Sequence, residues 1–358
     1  MHNKIAVFGI GQMGLAIVWA LDKLGYSVVV IDQDTKKLQS IKQQFPNIER
    51  YHDLHNFITD YKRKNINVKA AISALPYHQN LILAQFCVDN QISYCDLGGD
   101  VETTNSIHNV TRNSDKNIKV FTDLGLAPGL VNILAQQICY KYGMPDELEL
   151  MVGGLPKYPI NLLKYSVSWS LDGLINEYFN NCVIINNGKK RLVSGFSGYE
   201  KIIFPHNYDK LECFYTSGGL SHTAEFALKN GIKECCYKTL RYVGHHEKIY
   251  FLRLSGLNND QIKEVIKKSC PPTPLDQVIL YIQAKKGNTV HQFQQYFSAT
   301  PSFTAMQMCT AFPIAVVASL MVDFSDCFPN KICQYEDIPF KFFIERLNKL
   351  IIGQPICM

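Results

Sequence analysis

Gly9-Ile10-Gly11-Gln12-Met13-Gly14 lies between an apolar run, Lys4 to Phe8, and a helical stretch, Leu15 to Leu24. Glycines at this spacing suit a dinucleotide. Gly9 permits a tight turn, Gly11 lets the backbone approach a pyrophosphate, and Gly14 lets the helix lie close to the strand. The helix N-terminus adds free N–H groups and a positive dipole end. Gly25 stops the helix, and a second strand, Ser27 to Ile31, closes on Asp32. A carboxylate there accepts hydrogen bonds from the adenosine ribose hydroxyls and repels a 2′-phosphate. Gln33-Asp34-Thr35 follow, with Lys36 and Lys37 only after them, so NAD is expected rather than NADP. Gln12 and Met13 complete the cofactor set with the glycines and Asp32.

The elements that must position this turn alternate strand and helix. Val68 to Ser73 is an apolar run leading into Ala74-Leu75-Pro76, and Asn80 to Val88 reads as a helix. Ile92 to Asp96 is a short strand ending Tyr94-Cys95-Asp96 before Gly98-Gly99, and Ile118 to Thr122 is another, ending at Asp123. The expected fold is α/β, a Rossmann doubly wound parallel sheet whose ligands sit at the C-terminal strand ends: Gly9, Asp32, Ser73, Asp96 and Asp123. A helix begins near Pro128, a favoured first-turn position, and runs towards Tyr142 with Gly143 as its stop.

The pattern then changes. Leu148 to Val152, Tyr165 to Trp169, Cys182 to Ile185, Arg191 to Val193, Cys213 to Thr216, Tyr237 to Tyr242 and Val278 to Gln283 read as strands. Asn186-Asn187-Gly188 reads as a hairpin turn. Ala224 to Lys229 and Asp260 to Lys268 read as helices. This predicts a second, α+β domain with a mostly antiparallel sheet. Thr304 to Met321 and Ile338 to Leu350 are helical again and are expected to pack back on the first domain. The expected division is a dinucleotide-binding domain, 1–126, completed by helices about 304–358, and a substrate-binding and dimerisation domain, 127–303.

A chain of 358 residues with 47% apolar and 19% charged residues has the composition of a soluble enzyme. The net charge of +5 is scattered, with no basic block interleaved with aromatics, so no nucleic-acid partner is expected. The 12 cysteines form no CxxC pair and no Cys/His spacing typical of zinc, so neither a metal site nor a redox cysteine is expected. Many lie in apolar runs, and the N-terminus enters a strand with no signal-peptide pattern. Reduced thiols and a cytoplasmic location are the expectation. Met306 to Val322 approaches membrane-spanning length, but it carries Gln307, Thr310, Pro313 and Ser319 and no flanking basic cluster, so a buried helix is expected and no membrane partner.

Several strings together resemble the saccharopine dehydrogenase superfamily, and within it the lysine 6-dehydrogenase-like branch. They are the glycine motif, Ile72-Ser73-Ala74-Leu75-Pro76, Tyr94-Cys95-Asp96-Leu97-Gly98-Gly99 and Asp123-Leu124-Gly125-Leu126-Ala127-Pro128-Gly129. They continue with Gly153-Gly154-Leu155-Pro156, Trp169-Ser170, Glu177-Tyr178, Thr216-Ser217-Gly218-Gly219-Leu220 and Thr239-Leu240-Arg241-Tyr242-Val243-Gly244-His245. The resemblance covers nearly the whole chain in order. It implies NAD-linked hydride abstraction from a carbon bearing an amine: Cε of L-lysine, with the imine hydrolysed to the 6-semialdehyde and ammonia. The aldehyde can cyclise to piperideine-6-carboxylate. Saccharopine-forming and carboxynorspermidine-forming relatives run a similar step as reductive amination. Glutamate-forming saccharopine reductases carry an acid where this chain has Ala127, which argues against the larger substrate. A non-catalytic NAD-binding sensor is the alternative from another class.

The implied chemistry assigns roles. A lysine amine, with a reference pKa of about 10.4, must lose a proton before it loses hydride. Arg241 would anchor the far carboxylate, because a guanidinium binds one bidentately and the resemblance assigns this segment that task. Asp96 or Asp123 could take the amine proton or hold the ammonium, or be turn acids. Tyr94 is a further candidate or a packed strand residue. His245 could be a base titrating near neutrality or an ordinary loop histidine. Thr216 and Ser217 could donate to substrate beside Gly218-Gly219, and Trp169 could wall the pocket or sit in a core. Ser73, Ala74, Leu75 and Pro76 would run along the nicotinamide-side ribose. Homo-oligomerisation is expected from the second domain's exposed sheet.

Overall fold

Parallel strands buried on both faces need near-continuous apolar runs, and the first third of the chain supplies them at Ile5 to Phe8, Val28 to Ile31 and Ala70 to Ile72, all buried. The computed structural model describes residues 4–64, 66–202 and 210–358. Its elements, in chain order, begin with β1 (Lys4–Phe8), α1 (Gln12–Lys23), β2 (Ser27–Ile31), α2 (Thr35–Gln44), β3 (Glu49–Tyr51), α3 (Leu54–Lys64) and β4 (Val68–Ser73). Then come α4 (Asn80–Asn90), β5 (Ser93–Asp96), α5 (Val101–Asn113), β6 (Lys119–Phe121), α6 (Leu130–Tyr142), β7 (Glu147–Pro156) and α7 (Leu171–Phe179). These are followed by β8 (Cys182–Asn186), β9 (Lys189–Val193), β10 (Glu200–Ile202), β11 (Leu211–Tyr215), α8 (Thr223–Lys229), β12 (Glu234–Tyr242) and α9 (His245–Leu254). The chain closes with α10 (Asn259–Ser269), β13 (Asp276–Lys286), β14 (Thr289–Ser298), α11 (Ala305–Asp323), β15 (Lys331–Ile332) and α12 (Phe340–Leu350).

The chain divides into two compact units, one of Met1–Gly129 with Gln307–Ile356, the other of Leu130–Met306 with Cys357–Met358. The first holds a parallel sheet in the order β15-β6-β5-β4-β1-β2-β3. The strand order reverses at β1, so the crevice beyond its carboxyl end is the topological switch point. Gly25, in the left-handed region at φ 84°, closes α1. The C-terminal residues join this unit: β15 adds to β6 in parallel, and Arg346 of α12 bonds Ser319 and Asp323 of α11. α11 is long and apolar enough to cross a membrane, but 78% of its most apolar window is buried.

The second unit is built on a sheet in the order β10-β11-β12-β7-β13-β14, with β8 pairing β12 and β9. Its central pair, β7 with β12, is parallel and the others are antiparallel, so the sheet is mostly antiparallel, as expected, with one parallel pair at its centre. The β8–β9 hairpin turns on Asn187 and Gly188, both with positive φ, as its sequence predicts.

Three local expectations are corrected. Tyr165–Trp169 alternates like a strand but runs as irregular chain, tied by Val167 N–H to the Cys270 carbonyl and Ser166 Oγ to the Pro271 carbonyl. α6 starts at Leu130, and Pro128 belongs to the preceding turn behind a cis peptide. Helices α7 and α9 and strand β14 were not read at all: α7 is short and capped by Ser170, α9 opens on consecutive histidines, and β14 alternates glutamines with partly exposed apolar residues.

Candidate functional site

The glycine turn is a backbone device. Gly9 sits at φ 87° and a Cβ on it would stand 2.9 Å from the Ala74 carbonyl oxygen. A Cβ on Gly14 would stand 1.9 Å from the Gly9 carbonyl oxygen, so strand end and helix touch there. Gly11 differs: a Cβ on it would meet nothing within 4 Å. No packing within the chain requires that glycine, and the open space lies at the N-terminus of α1. The Gln12, Met13 and Gly14 N–H groups precede the first intrahelical bond, Leu15 N–H to the Gly11 carbonyl at 3.0 Å. Open space over unpaired donors fits a pyrophosphate.

Asp32 holds this turn together. Its Oδ2 accepts from Ile10 N–H at 2.6 Å and its Oδ1 from Asp34 N–H at 2.8 Å. Each oxygen keeps lone-pair capacity for a ribose hydroxyl. Lys37 Nζ stands 3.8 Å from Oδ2, so a cation the sequence separates by several residues returns to the same carboxylate. Of the Ser73–Pro76 segment, Ala74 and Leu75 line Gly9. The Ser73 hydroxyl points inward instead, donating to Asn80 Oδ1 at 2.7 Å.

Two strand-end acids of this unit, Asp96 and Asp123, form one cluster. Asp96 Oδ1 accepts from Gly98 N–H at 2.8 Å and Asp123 N–H at 3.0 Å, while Oδ2 is buried with no hydrogen-bond partner among the described residues. Burial, with Asp123 beside it, pushes the Asp96 carboxyl up to about 6. Asp123 lies in the left-handed region at φ 64°, and its Oδ1 accepts from Thr104 Oγ1 at 3.2 Å. A Cβ on Gly98 would meet that Oδ1 at 2.5 Å, which explains the glycine beside the acid. Burial, with Asp96 next, raises the Tyr94 phenol well above its usual range, so it stays protonated.

In the second unit, Arg241 of β12 is 3% exposed. Its Nε donates to Tyr178 Oη at 2.8 Å, and its Nη1 donates to Thr239 Oγ1 at 3.0 Å and the Leu240 carbonyl at 2.9 Å. The guanidinium carbon stands 5.0 Å from the Tyr165 ring centre and 5.6 Å from that of Tyr178. No carboxylate pairs with it among the described residues. Burial opposes the charge, but Tyr178, Tyr165 and Glu177 outweigh it and Arg241 stays cationic.

His245 shares this network. Its Nδ1 lies 2.7 Å from the Leu163 carbonyl, which can only accept, so Nδ1 carries the proton. Nε2 then accepts from Tyr178 Oη at 3.0 Å, leaving that oxygen to accept from Arg241. The chain of donors runs one way, and both imidazole nitrogens are spent. Burial, then the Arg241 charge, pushes His245 down to about 3. The expectation of a base near neutrality is therefore corrected: a desolvated imidazole beside a guanidinium holds no second proton at pH 7.

The remaining expected residues divide between scaffold and site. Ser217 N–H donates to the Glu177 carbonyl at 2.8 Å and its hydroxyl to the Asn181 carbonyl at 2.9 Å, which ties the end of β11 to α7. Thr216, one residue earlier, is 3% exposed and its Oγ1 has no partner among the described residues. Trp169 donates through Nε1 to Tyr165 Oη at 3.2 Å and packs on Gly173, where a Cβ would meet the indole at 2.4 Å.

Sequence reasoning did not single out Tyr165, Tyr178 or Glu177 as site residues. Tyr178 touches both Arg241 and His245, and Glu177 precedes it on α7. Glu177 is partly buried and its carboxylate makes no hydrogen bond or ion pair among the described residues. Burial pushes it up to about 8, with Arg241 pulling the other way. The adjoining pair Glu177-Tyr178 was the available signal, but its partners lie about sixty positions away on β12.

Comparison with known proteins agrees with this architecture. Residues 5–121 match the family model described as the saccharopine dehydrogenase NADP binding domain, and residues 125–352 match that of the saccharopine dehydrogenase C-terminal domain. Saccharopine dehydrogenase (L-Glu forming) from Saccharomyces cerevisiae superposes with a TM-score of 0.73 over 97% of each chain at 13% identity, a likeness of fold. The mitochondrial alpha-aminoadipic semialdehyde synthases of Rattus norvegicus and Mus musculus are 24% and 23% identical over 217 residues, 58% of this chain. This chain spans 23% of the length of those relatives. A nicotinamide dinucleotide is the cofactor class that the matched domain and the glycine turn share. The chain belongs to the saccharopine dehydrogenase family of oxidoreductases.

Proposed function

We propose that this protein is an NAD-dependent amine dehydrogenase that oxidises the ε-amine of L-lysine. The observation that carries the reading is Arg241, a buried guanidinium with its Nε and Nη1 satisfied by neutral groups and no carboxylate paired to it among the described residues. A buried cation without a counter-ion is costly unless a ligand completes it, and a substrate carboxylate does so. NAD, held at Gly9, Gly11, Gln12, Met13, Gly14 and Asp32, would accept the hydride. The carbon–nitrogen single bond becomes an imine as the amine loses hydride and a proton. Water then adds and ammonia leaves, giving the 6-semialdehyde, NADH and a proton. Asp96, half-ionised near pH 6, and Asp123 are the candidates for the proton step in the first unit. His245 acts by holding Tyr178, and through it Arg241.

Asp32 supports NAD over NADP, although Lys37 tempers its charge. A second reading, saccharopine, draws on the family description, whereas Ala127 favours the smaller substrate. Homo-oligomerisation through the second unit's sheet and a cytoplasmic location complete the proposal; the free thiols fit the latter.

The test is reduction of NAD and of NADP by the purified protein with L-lysine, L-saccharopine and a carboxylated polyamine at alkaline pH. Turnover confined to L-lysine supports the reading, turnover confined to saccharopine replaces it, and cofactor binding without any turnover leaves a sensor.

A further inference from the structure

Glu212 of β11 is a buried carboxylate, 1% exposed, directly opposite Arg241 in the β11–β12 pair. Directly opposed residues put their side chains on one face of a sheet, where unlike charges pair readily. These two form no ion pair. Glu212 Oε1 accepts from His246 N–H at 2.6 Å, and Oε2 accepts from Gly244 N–H at 2.8 Å and from the Tyr199 hydroxyl at 3.4 Å. Both N–H groups belong to the start of α9. Gly244, at φ 95°, holds the N-cap position and has no side chain to cap with, so a carboxylate from the neighbouring strand takes that part. The free N–H groups and the positive dipole end stabilise the anion there. α9 has little else to locate it. Of its 10 residues only His245 and Ile249 are buried, while Tyr250, Phe251 and Leu254 are exposed. Its first turn is fixed by polar bonds: Glu212 at two backbone N–H groups, His246 Nε2 donating to the Phe196 carbonyl at 2.8 Å, and His245 Nδ1 donating to the Leu163 carbonyl. His245 lies between the two clamped residues and passes the hold through Tyr178 to Arg241 Nε.

We propose that Glu212 is the positioning residue of the Arg241 cluster. It clamps the first turn of α9, so that His245 fixes Tyr178 and Tyr178 fixes the guanidinium. The same two bonds occupy both oxygens of the carboxylate opposite Arg241, so the cation is left unpaired across the strands. The proposal rests on the anchor role of Arg241 above and adds what keeps that anchor oriented and open to a ligand.

The test compares the full-length wild type with Glu212→Gln and Glu212→Asp. Gln keeps the length and loses the charge and one acceptor; Asp keeps the charge and is one methylene short. Each is expected to raise KM for L-lysine about tenfold, with kcat within about threefold and NAD affinity unchanged. Residue-resolved hydrogen exchange at the start of α9 is expected to speed about tenfold or more, with β12 as protected as in the wild type. Faster exchange in α9 with KM unchanged overturns the proposal, because a cap that only stabilises the helix gives that result. In the wild type alone, the Gly244 and His246 amides are expected to exchange about tenfold or more slowly than in an unstructured chain. Unprotected amides there overturn the proposal without any variant. If Arg241→Ala raises KM and the Glu212 variants do not, the anchor reading stands and this proposal falls. If the Glu212 variants free α9 and Arg241→Ala leaves KM unchanged, the clamp stands and the anchor reading falls.

Discussion

The glycine turn of the first unit and the Arg241 cluster of the second are both candidate sites for charged ligands, and they are built differently. The turn uses backbone: glycines at Gly9 and Gly14 where side chains would collide, an empty position at Gly11, and Asp32 tying the loop through two N–H groups. Gly9 to Lys37 lie within one strand–helix–strand stretch, and only Ala74 and Leu75 close on Gly9 from farther along the chain. The Arg241 cluster uses side chains from β12, α7 and α9 joined in a single directed hydrogen-bond chain that ends on the Leu163 carbonyl, with the Tyr165 ring of the irregular segment against the guanidinium. A backbone site is written in local spacing; a side-chain site exists only once the sheet and helices have met.

The largest effect that can break this comparison is at Arg241. Arg241→Ala should raise KM for L-lysine by roughly 30-fold or more, a loss of about 2–5 kcal/mol, with NAD affinity unchanged. Steady-state kinetics and cofactor titration together check it; equal loss of both would unseat the anchor.

Within the turn, the same substitution should act oppositely at two glycines. Gly14→Ala forces a Cβ to 1.9 Å from the Gly9 carbonyl oxygen and should cost about 1–3 kcal/mol of stability in denaturant unfolding. Gly11→Ala should unfold like the wild type and bind NAD about tenfold more weakly. If Gly11→Ala binds normally, the open space above α1 is not where the pyrophosphate lies.

Thr216→Val removes a buried hydroxyl that bonds to nothing among the described residues. It should raise stability by about 1 kcal/mol while weakening amino-acid binding. A variant that gains no stability would mean that the hydroxyl is already satisfied in solution. Asp32→Asn should weaken NAD by about tenfold and narrow its advantage over NADP; an unchanged ratio of the two dissociation constants would take cofactor choice away from this residue.

A separate effect lies in the pH dependence of stability. Glu177 is raised from 4.5 to about 8 in the folded protein, so the unfolded chain gives up its proton first. Its penalty is absent below the unfolded value, grows as pH rises between the two values and is complete above about 8. The stability difference between Glu177→Gln and wild type should therefore move in favour of the variant across that window. A difference that stays flat would place Glu177 in ordinary solvent.

The legible part of the molecule follows the same division. Strand-end residues Gly9, Asp32, Asp96 and Asp123 were readable because parallel strands announce themselves as apolar runs and ligand positions sit where those runs stop. Their inner bonding was less readable: Asp96 serves as acceptor for Gly98 and Asp123, and Ser73 turns inward to Asn80. Arg241 was found from its string, but His245 was taken as a candidate base because nothing local reveals burial beside a guanidinium. Tyr165 misled as a strand because alternation records which side chains are buried, and an irregular segment tied to the end of α10 buries them equally well.

By itself, the sequence determined the parallel sheet, the glycine turn and the presence of Arg241, since each depends on steric and hydrophobic rules acting over a few neighbouring residues. The tertiary structure alone decided the parallel β7–β12 pair within the second sheet, the tautomer of His245, the return of Lys37 to Asp32 and the separation of Glu177 from Arg241. Those depend on how far the chain is desolvated and on which distant groups share the buried space, and spacing along the chain carries no record of either.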